Sequence, residues 1–204
     1  MNYLAIDCTS NSLCVIARKD KKLATRFIEN SQLQHSVLCM SLVEEVLTTL
    51  NLSIESCDFL CGVTGPGSFT GIRVGLSTIL GFAVAAKKNK IGVTSYQMLS
   101  YDKLERFLAV IDAGKNHFYV CGYDNGKVIL PPAHISLAKL EELSKEYILY
   151  SFMPLPMPYK LCNKINCLEG AIQQAIQENF VNYPLRPFYV KKSQAEENLQ
   201  NRGK

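Results

Sequence analysis

The sequence predicts an α/β protein of two lobes, the first of them a mixed sheet with helices packed on it. Three observations carry this reading. Alternating β-formers run through residues 3–7, 13–18 and 23–28, and a polar turn at 19–22 joins the last two into an antiparallel meander. Apolar residues then recur at three- and four-residue spacing over 36–50, the pattern of a helix with one buried face. Strand 59–63 next passes through the glycine turn GPGSFTG into an apolar helix and the short strand 91–93, which completes a βββαβαβ order.

Each element has a local cause. Val37, Leu38, Leu42, Val43, Val46, Leu47 and Leu50 form the buried stripe of the first long helix, with Ser36 near its start. In the glycine turn, Gly65 and Gly67 accept positive φ and Pro66 fixes its own, so the backbone reverses tightly out of the preceding strand. Ser68 is placed to cap the helix that follows. The N–H groups at such a helix start can hold an anion, yet the Gly-Lys-Ser/Thr ending that reaches terminal phosphates is missing. The residue choices are explained by the turn and cap alone.

The helix behind the turn carries one charge, Arg73, between Phe69 and Ala86. A surface helix shows a polar stripe, and this one is apolar or small nearly all round, so both of its faces need cover. Gly71 and Gly75 stand on one ridge, where small residues let a second helix approach closely, and Ile72, Leu76, Ile79 and Leu80 line another. One face packs on the domain's own sheet and the other is expected against a neighbouring helix or a partner protein. The uncharged run 74–86 has 13 residues, short of the ~20 that span a membrane.

A second lobe begins after the polar segment 95–106. Residues 107–112 and 118–123 read as strands around the turn 113–116, and Asn125-Gly126 turns the chain into 128–130. A short helix over 137–144 and a strand over 147–152 follow. Residues 153–158 hold three prolines and form neither helix nor central strand. Residues 168–180 read as a helix, 188–190 as a strand, and 194 onward as a polar tail. The domain expectation is a lobe over 1–100 that carries the dimerisation helices, and a smaller lobe with its tail over 101–204. No internal repeat is visible.

Composition narrows the function classes. With 204 residues, 48% of them hydrophobic, the chain can build a substantial core. The start, MNYLAIDCTS, meets Asp7 after a short apolar run with no basic segment, so a cytoplasmic location is expected. Eight cysteines lie in apolar runs and never as C-x-x-C, which reads as buried free thiols. His35, His117 and His134 are far apart and lack metal-ligand spacing. The net charge of +4 is spread over short runs such as 19–22 and 87–90, with no aromatic or arginine cluster beside them, so solvated turns explain them better than a nucleic-acid patch.

LAIDCTSNS near the start and VTGPGSFTGIRVGLSTILGFAVA together resemble the bacterial TsaB family. QHSVLCMSLVEEVL, GVTSYQML and VIDAGKNHFYV extend the match over residues 1–123. Gly114 and Lys115 depart from it where the family often has arginine after Asp112-Ala113, and the C-terminal part is short and proline-rich. The resemblance implies the actin-like ATPase or ribonuclease H-like fold of the ASKHA superfamily. It also implies an accessory subunit that pairs with TsaD, with the ATPase TsaE joining, to install threonylcarbamoyl on adenosine 37 of tRNAs reading codons that begin with A. A homodimer in isolation, tRNA reached through the complex, no cofactor and no membrane complete that expectation.

TsaD-type sequences carry Asn-His-x-Glu-Gly-His one strand after the glycine turn, where two histidines bind a metal. Ser95 and Leu99 stand at those positions here, and they cannot replace two imidazoles. Asp7, Thr9 and Ser10 lie where actin-like ATPases place one phosphate loop, and Asp112 with Gly114 where they place a second. With Gly65, Gly67 and Ser68 these are the phosphate-loop candidates, and each equally reads as a strand-end turn. An ATPase or sugar kinase is the alternative from another class. A peptidase needs a nucleophile beside an oriented base, and Ser36 next to His35 points about 100° away on a helix. The expected partner surface is His35, Leu38, Leu42, Gly71, Gly75, Leu76 and Leu80, although the leucines also suit a core.

Overall fold

In the computed structural model, which describes residues 1–30 and 34–191, strand β1 (Tyr3–Asp7) is the centre of the first sheet. It pairs antiparallel with β2 (Leu13–Lys19) and parallel with β4 (Phe59–Val63). The edges are β3 (Lys22–Ile28), antiparallel to β2, and β5 (Asn89–Val93), parallel to β4. Helix α1 (His35–Leu50) connects β3 to β4, and α2 (Phe69–Ala85) connects β4 to β5. This is the βββαβαβ order expected from the sequence. The polar tail from residue 194 lies outside the described residues.

The second sheet repeats the plan. Its centre is β6 (Phe107–Gly114), antiparallel to β7 (His117–Asp124), which pairs in turn with edge strand β8 (Lys127–Ser136). On the other side β6 is parallel to β9 (Ile148–Ser151), and β9 to β10 (Lys160–Leu161). The order β3-β2-β1-β4-β5 thus recurs as β8-β7-β6-β9-β10. Helix α4 (Leu137–Leu143) takes the place of α1, while the proline-rich connector replaces α2. It is the ribonuclease H-like arrangement of the actin-like ATPase fold, present twice. The sequence shows no repeat because strand order is shared between the halves and side chains are not.

Four cores follow from the two sheets. α1 and α2 cover one face of the first sheet, where Leu42, Val43, Val46, Ile79 and Ala83 meet Leu4, Ile6, Val15 and Leu60. The other face is closed by α5 (Lys164–Gln177), whose Leu168, Ala171, Ile172 and Ala175 pack on Ala5, Ile16, Phe59 and Val93. Arg18 on β2 pairs with Glu169 on α5 across that contact. Tyr96 and Leu99 of α3 (Ser95–Ser100) cover the second sheet at Phe107, Ala109 and Tyr123. Leu140 of α4 and Leu155 of the connector cover its remaining face.

Several elements differ from the sequence expectation. α3 lies inside the segment read as polar, and a capping box builds it: Gln97 N–H donates to Thr94 Oγ1 at 3.0 Å and Thr94 N–H to Gln97 Oε1 at 2.7 Å. β8 runs on through Pro131 and Pro132 because it is an edge strand whose pairing with β7 shifts register there, between Val120–Ala133 and Gly122–Leu130, so that the two prolines sit at an irregularity of the ladder. α5 starts at Lys164, four residues earlier than the apolar pattern, because the Asn163 side chain caps Asn166 N–H. Residues 188–190 form no strand. They are held by Phe188 N–H donating to Thr64 O at 2.8 Å, and rings of this segment pack on α2 and α3.

Candidate functional site

The glycine turn sits where both lobes and the C-terminal segment meet. Gly65 has φ 108°, and a Cβ there would lie 2.8 Å from Phe188 O. Gly67 and Gly71 are held by close approach. Added Cβ atoms would lie 2.0 Å from Thr9 O and 1.9 Å from Cys8 O, so any larger residue forces the backbone apart. Ser68 N–H donates to Thr9 O at 2.6 Å, and Ser68 Oγ accepts Gly71 N–H at 3.2 Å. Ser95 completes the knot by donating its N–H to Gly65 O and its Oγ–H to Pro66 O, at 2.8 and 2.9 Å. The donors of Ser68 and Gly71, available to an anion in an open phosphate loop, are spent on the chain itself.

The two aspartates are equivalent by fold. Asp7 at the end of β1 accepts Thr9 N–H and Thr9 Oγ1–H on Oδ1, both at 2.7 Å. Asp112 in β6, the matching strand of the second lobe, accepts Gly114 N–H at 2.8 Å. Both are Asx turns, and Asp112 is exposed whereas Asp7 is fully buried. Lys164, 6% exposed, brings its ammonium to 3.0 Å from Asp7 Oδ2 and donates to Ser10 Oγ at 2.5 Å and Ser12 Oγ at 3.2 Å. A cation of this chain therefore sits against Asp7, Ser10 and Ser12 at the end of β1. Sequence reasoning missed Lys164, since no motif marks a lysine that starts a helix so far along the chain.

The seven partner-surface candidates differ in burial. His35, Leu42, Gly71, Gly75 and Leu76 are buried within this chain, Leu38 is half-buried, and Leu80 is exposed. What Gly71 and Gly75 admit closely is Cys8, in the loop after β1. The large apolar side chains that α1 and α2 leave exposed are Val37 (74% exposed), Met40 (52%), Leu80 (45%) and Val84 (70%). The periodicity of these residues marks the side that the two helices bury within their own lobe.

His35 is buried, and neither ring nitrogen has a hydrogen-bond partner among the described residues. Burial pushes its pKa below the usual imidazole value, against the raising influence of Asp7 and with the lowering one of Lys164. Ser36 beside it is exposed, so the two form no dyad. Burial lifts the Cys14 and Cys57 thiols to about 12 and about 11, in keeping with inert core residues. Ser95 is buried in the knot just described and Leu99 lies in the core on the second sheet.

A cleft of about 770 Å³ opens between the lobes beside the glycine turn. Phe69 and Arg73 of α2 form one wall, His117 of β7 and His134 of β8 the other, and Tyr189 and Lys191 of the C-terminal segment close one side. These residues are scattered along the sequence, so the cluster of aromatic and basic groups that the linear reading did not find is assembled only by folding.

Residues 28–183 match the family model described as TsaD: tRNA N6-adenosine threonylcarbamoyltransferase. The chain belongs to this family. Its curated relatives carry the TsaB name, that of the family the motifs resemble. It is 29% identical over 163 residues to the Escherichia coli protein named tRNA threonylcarbamoyladenosine biosynthesis protein TsaB, covering 72% of this chain and 70% of that protein. The Haemophilus influenzae protein of the same name is 30% identical over 124 residues, covering 58% and 52%. Among solved structures, a Pseudomonas aeruginosa protein described as similar to peptidase YeaZ aligns with a TM-score of 0.72 at 18% identity, over 93% of this chain and 99% of that one. YeaZ from Pseudomonas aeruginosa aligns at 0.70 and 18%, over 92% and 99%. At that identity the likeness to these two structures is one of fold.

Proposed function

We propose that this chain is a non-catalytic accessory subunit of tRNA threonylcarbamoylation, pairing with a TsaD-type catalytic subunit through α1 and α2, with TsaE joining the assembly. The observation that carries the reading is the open apolar face of those helices. Val37, Met40, Leu80 and Val84 leave large side chains in water although the opposite sides of the same helices are packed on the sheet. A second apolar helix face buries them, and in the absence of TsaD a second copy of this chain serves.

Two details of the lobe junction support the accessory role, the first over a kinase or ATPase and the second over a TsaD-type catalytic subunit. Asp7 is neutralised by Lys164 from within, and Ser95 and Leu99 present no imidazole at the motif positions. The test mixes the purified chain with TsaD, TsaE, tRNA, ATP and threonylcarbamoyl-adenylate or its precursors. Modification that requires both this chain and TsaD is expected. ATP turnover or sugar phosphorylation by the chain alone would replace this reading with the kinase one.

A further inference from the structure

We infer that Cys162 and Cys167 form a hydroperoxide-sensitive dithiol, in which Cys162 is oxidised first and Cys167 then closes a disulfide. Seven of the eight cysteines are buried and Cys162 is half-buried. It stands between β10 and α5, with its N–H donating to Ser151 O at 2.8 Å. Asn163 is the N-cap of α5, so Cys162 directly precedes the cap, and Cys167 N–H donates to Asn163 O at 3.0 Å. These are the two positions of a hydrophobic staple, whose side chains meet across the entry of a helix. Here both are thiols. They pack into the same core beside Leu168 and Phe152, and the Cys167 S–H hydrogen-bonds to the Cys162 sulfur.

The surroundings divide the roles. The hydrogen bond from Cys167 lowers the Cys162 thiol to about 7, and partial burial opposes it. Lys103, in the turn after α3, acts in the lowering direction, Asp102 beside it in the raising one, and Lys160 of β10 in the lowering one. Both lysines donate to other partners, Lys103 to Tyr101 O at 3.1 Å and Lys160 to Tyr150 Oη at 3.0 Å, so they act on the sulfur through space. Cys167 is 8% exposed, and its bond to Cys162 and its burial push its thiol up, so it keeps its proton. A half-open thiolate beside a protonated, buried partner is the arrangement of a two-cysteine redox site. Cys8 and Cys39 are also hydrogen-bonded partners, but each is only 1% exposed and closed to solvent.

The Cys162 thiolate attacks one oxygen of hydrogen peroxide, the O–O bond breaks, and the departing hydroxide takes a proton from solvent as water. Cys162 is now a sulfenic acid, and the thiolate that held the Cys167 proton is gone. The Cys167 sulfur attacks the Cys162 sulfur, the S–O bond breaks as the S–S bond forms, and the leaving hydroxide takes the Cys167 proton as a second water. Two thiols have lost two electrons and two protons to the peroxide. The new bond ties the entry of α5 beside Lys164, which reaches Asp7 in the first strand.

The test treats the reduced full chain with a slight molar excess of hydrogen peroxide and follows it by thiol titration and tryptic mapping. Trypsin cuts after Lys164, between the two cysteines, so the disulfide joins residues 161–164 to the peptide that begins at Ile165. The expected result is the loss of two of the eight thiols, that linked pair of peptides, recovery with a dithiol reductant, and a rate half-maximal near about pH 7. Cys167→Ala should stop at a Cys162 sulfenic acid that dimedone captures, and Cys162→Ala should leave Cys167 reduced. The map of the parent chain decides the matter if either variant fails to fold. The inference is overturned by eight thiols surviving the peroxide, by a link between other cysteines, by over-oxidation of Cys162 without the link, or by a midpoint at the ordinary thiol value of about 8.5.

Discussion

Lys164 Nζ, at the first turn of α5, lies 3.0 Å from Oδ2 of Asp7 at the end of β1, and both side chains are buried. The pair joins the last helix among the described residues to the first strand.

Removing one partner of a buried ion pair leaves the other charge without compensation. Lys164→Met is therefore expected to lower unfolding free energy by about 3–5 kcal/mol, and Asp7→Asn by a similar amount, in urea denaturation. The double variant should lose clearly less than the sum, because neither charge remains. A Lys164→Met protein within 1 kcal/mol of the parent would mean that the pair holds nothing in place.

Two glycines of α2 should respond in opposite directions to the same added methyl. Gly71→Ala meets Cys8 O at 1.9 Å, a backbone atom that cannot swing aside, and a loss of about 1–3 kcal/mol or more is expected. At Gly81 nothing lies within 4 Å, so Gly81→Ala should stabilise by about 0.5–1 kcal/mol through helix propensity. Thermal unfolding of the two variants checks the contrast, and equal shifts would refute the packing described for the glycine turn.

The partner face is probed at positions that the monomer does not use. Leu80→Glu and Val84→Glu should leave thermal stability nearly unchanged and weaken capture of TsaD at least tenfold, about 1.4 kcal/mol or more. Gly75→Leu is a poor probe of the same surface, since its side chain would enter the contact with Cys8 at 3.5 Å and act on folding. Undiminished capture by both glutamate variants would move the interface elsewhere.

His35 should make stability fall on the acid side of neutrality. Burial lowers its pKa from 6.5, so the folded protein holds the neutral ring while the unfolded chain takes up a proton first. Its contribution is complete above about pH 6.5 and is lost as the pH drops below that toward the folded-state value. The Asp7 carboxylate nearby acts in the raising direction and the Lys164 ammonium in the lowering one. Denaturation midpoints between pH 5 and 8 should show this slope in the parent and a flatter one in His35→Gln.

Much of the first lobe is legible in the sequence because its signals are local. Alternation names β1, β2 and β3, the spacing of Leu42, Val43 and Val46 names α1, and Ser68 caps α2 where a cap was expected. Helix α3 was missed because six residues give too little periodicity, although the pair Thr94 and Gln97 carried a capping-box signal. The start of α5 was placed late because Asn163 and Lys164 precede its apolar stripe.

By itself, the sequence determined the βββαβαβ order of the first lobe, the glycine turn and the family, since each is written in neighbouring residues. Tertiary structure alone decided which helix faces stay open, that Lys164 closes on Asp7, and that Arg73, His117, His134 and Tyr189 line one cleft. Those outcomes depend on how two sheets of equal strand order and a returning C-terminal segment are placed in space. Periodicity along one chain says which residues share a face, and only packing says what that face meets.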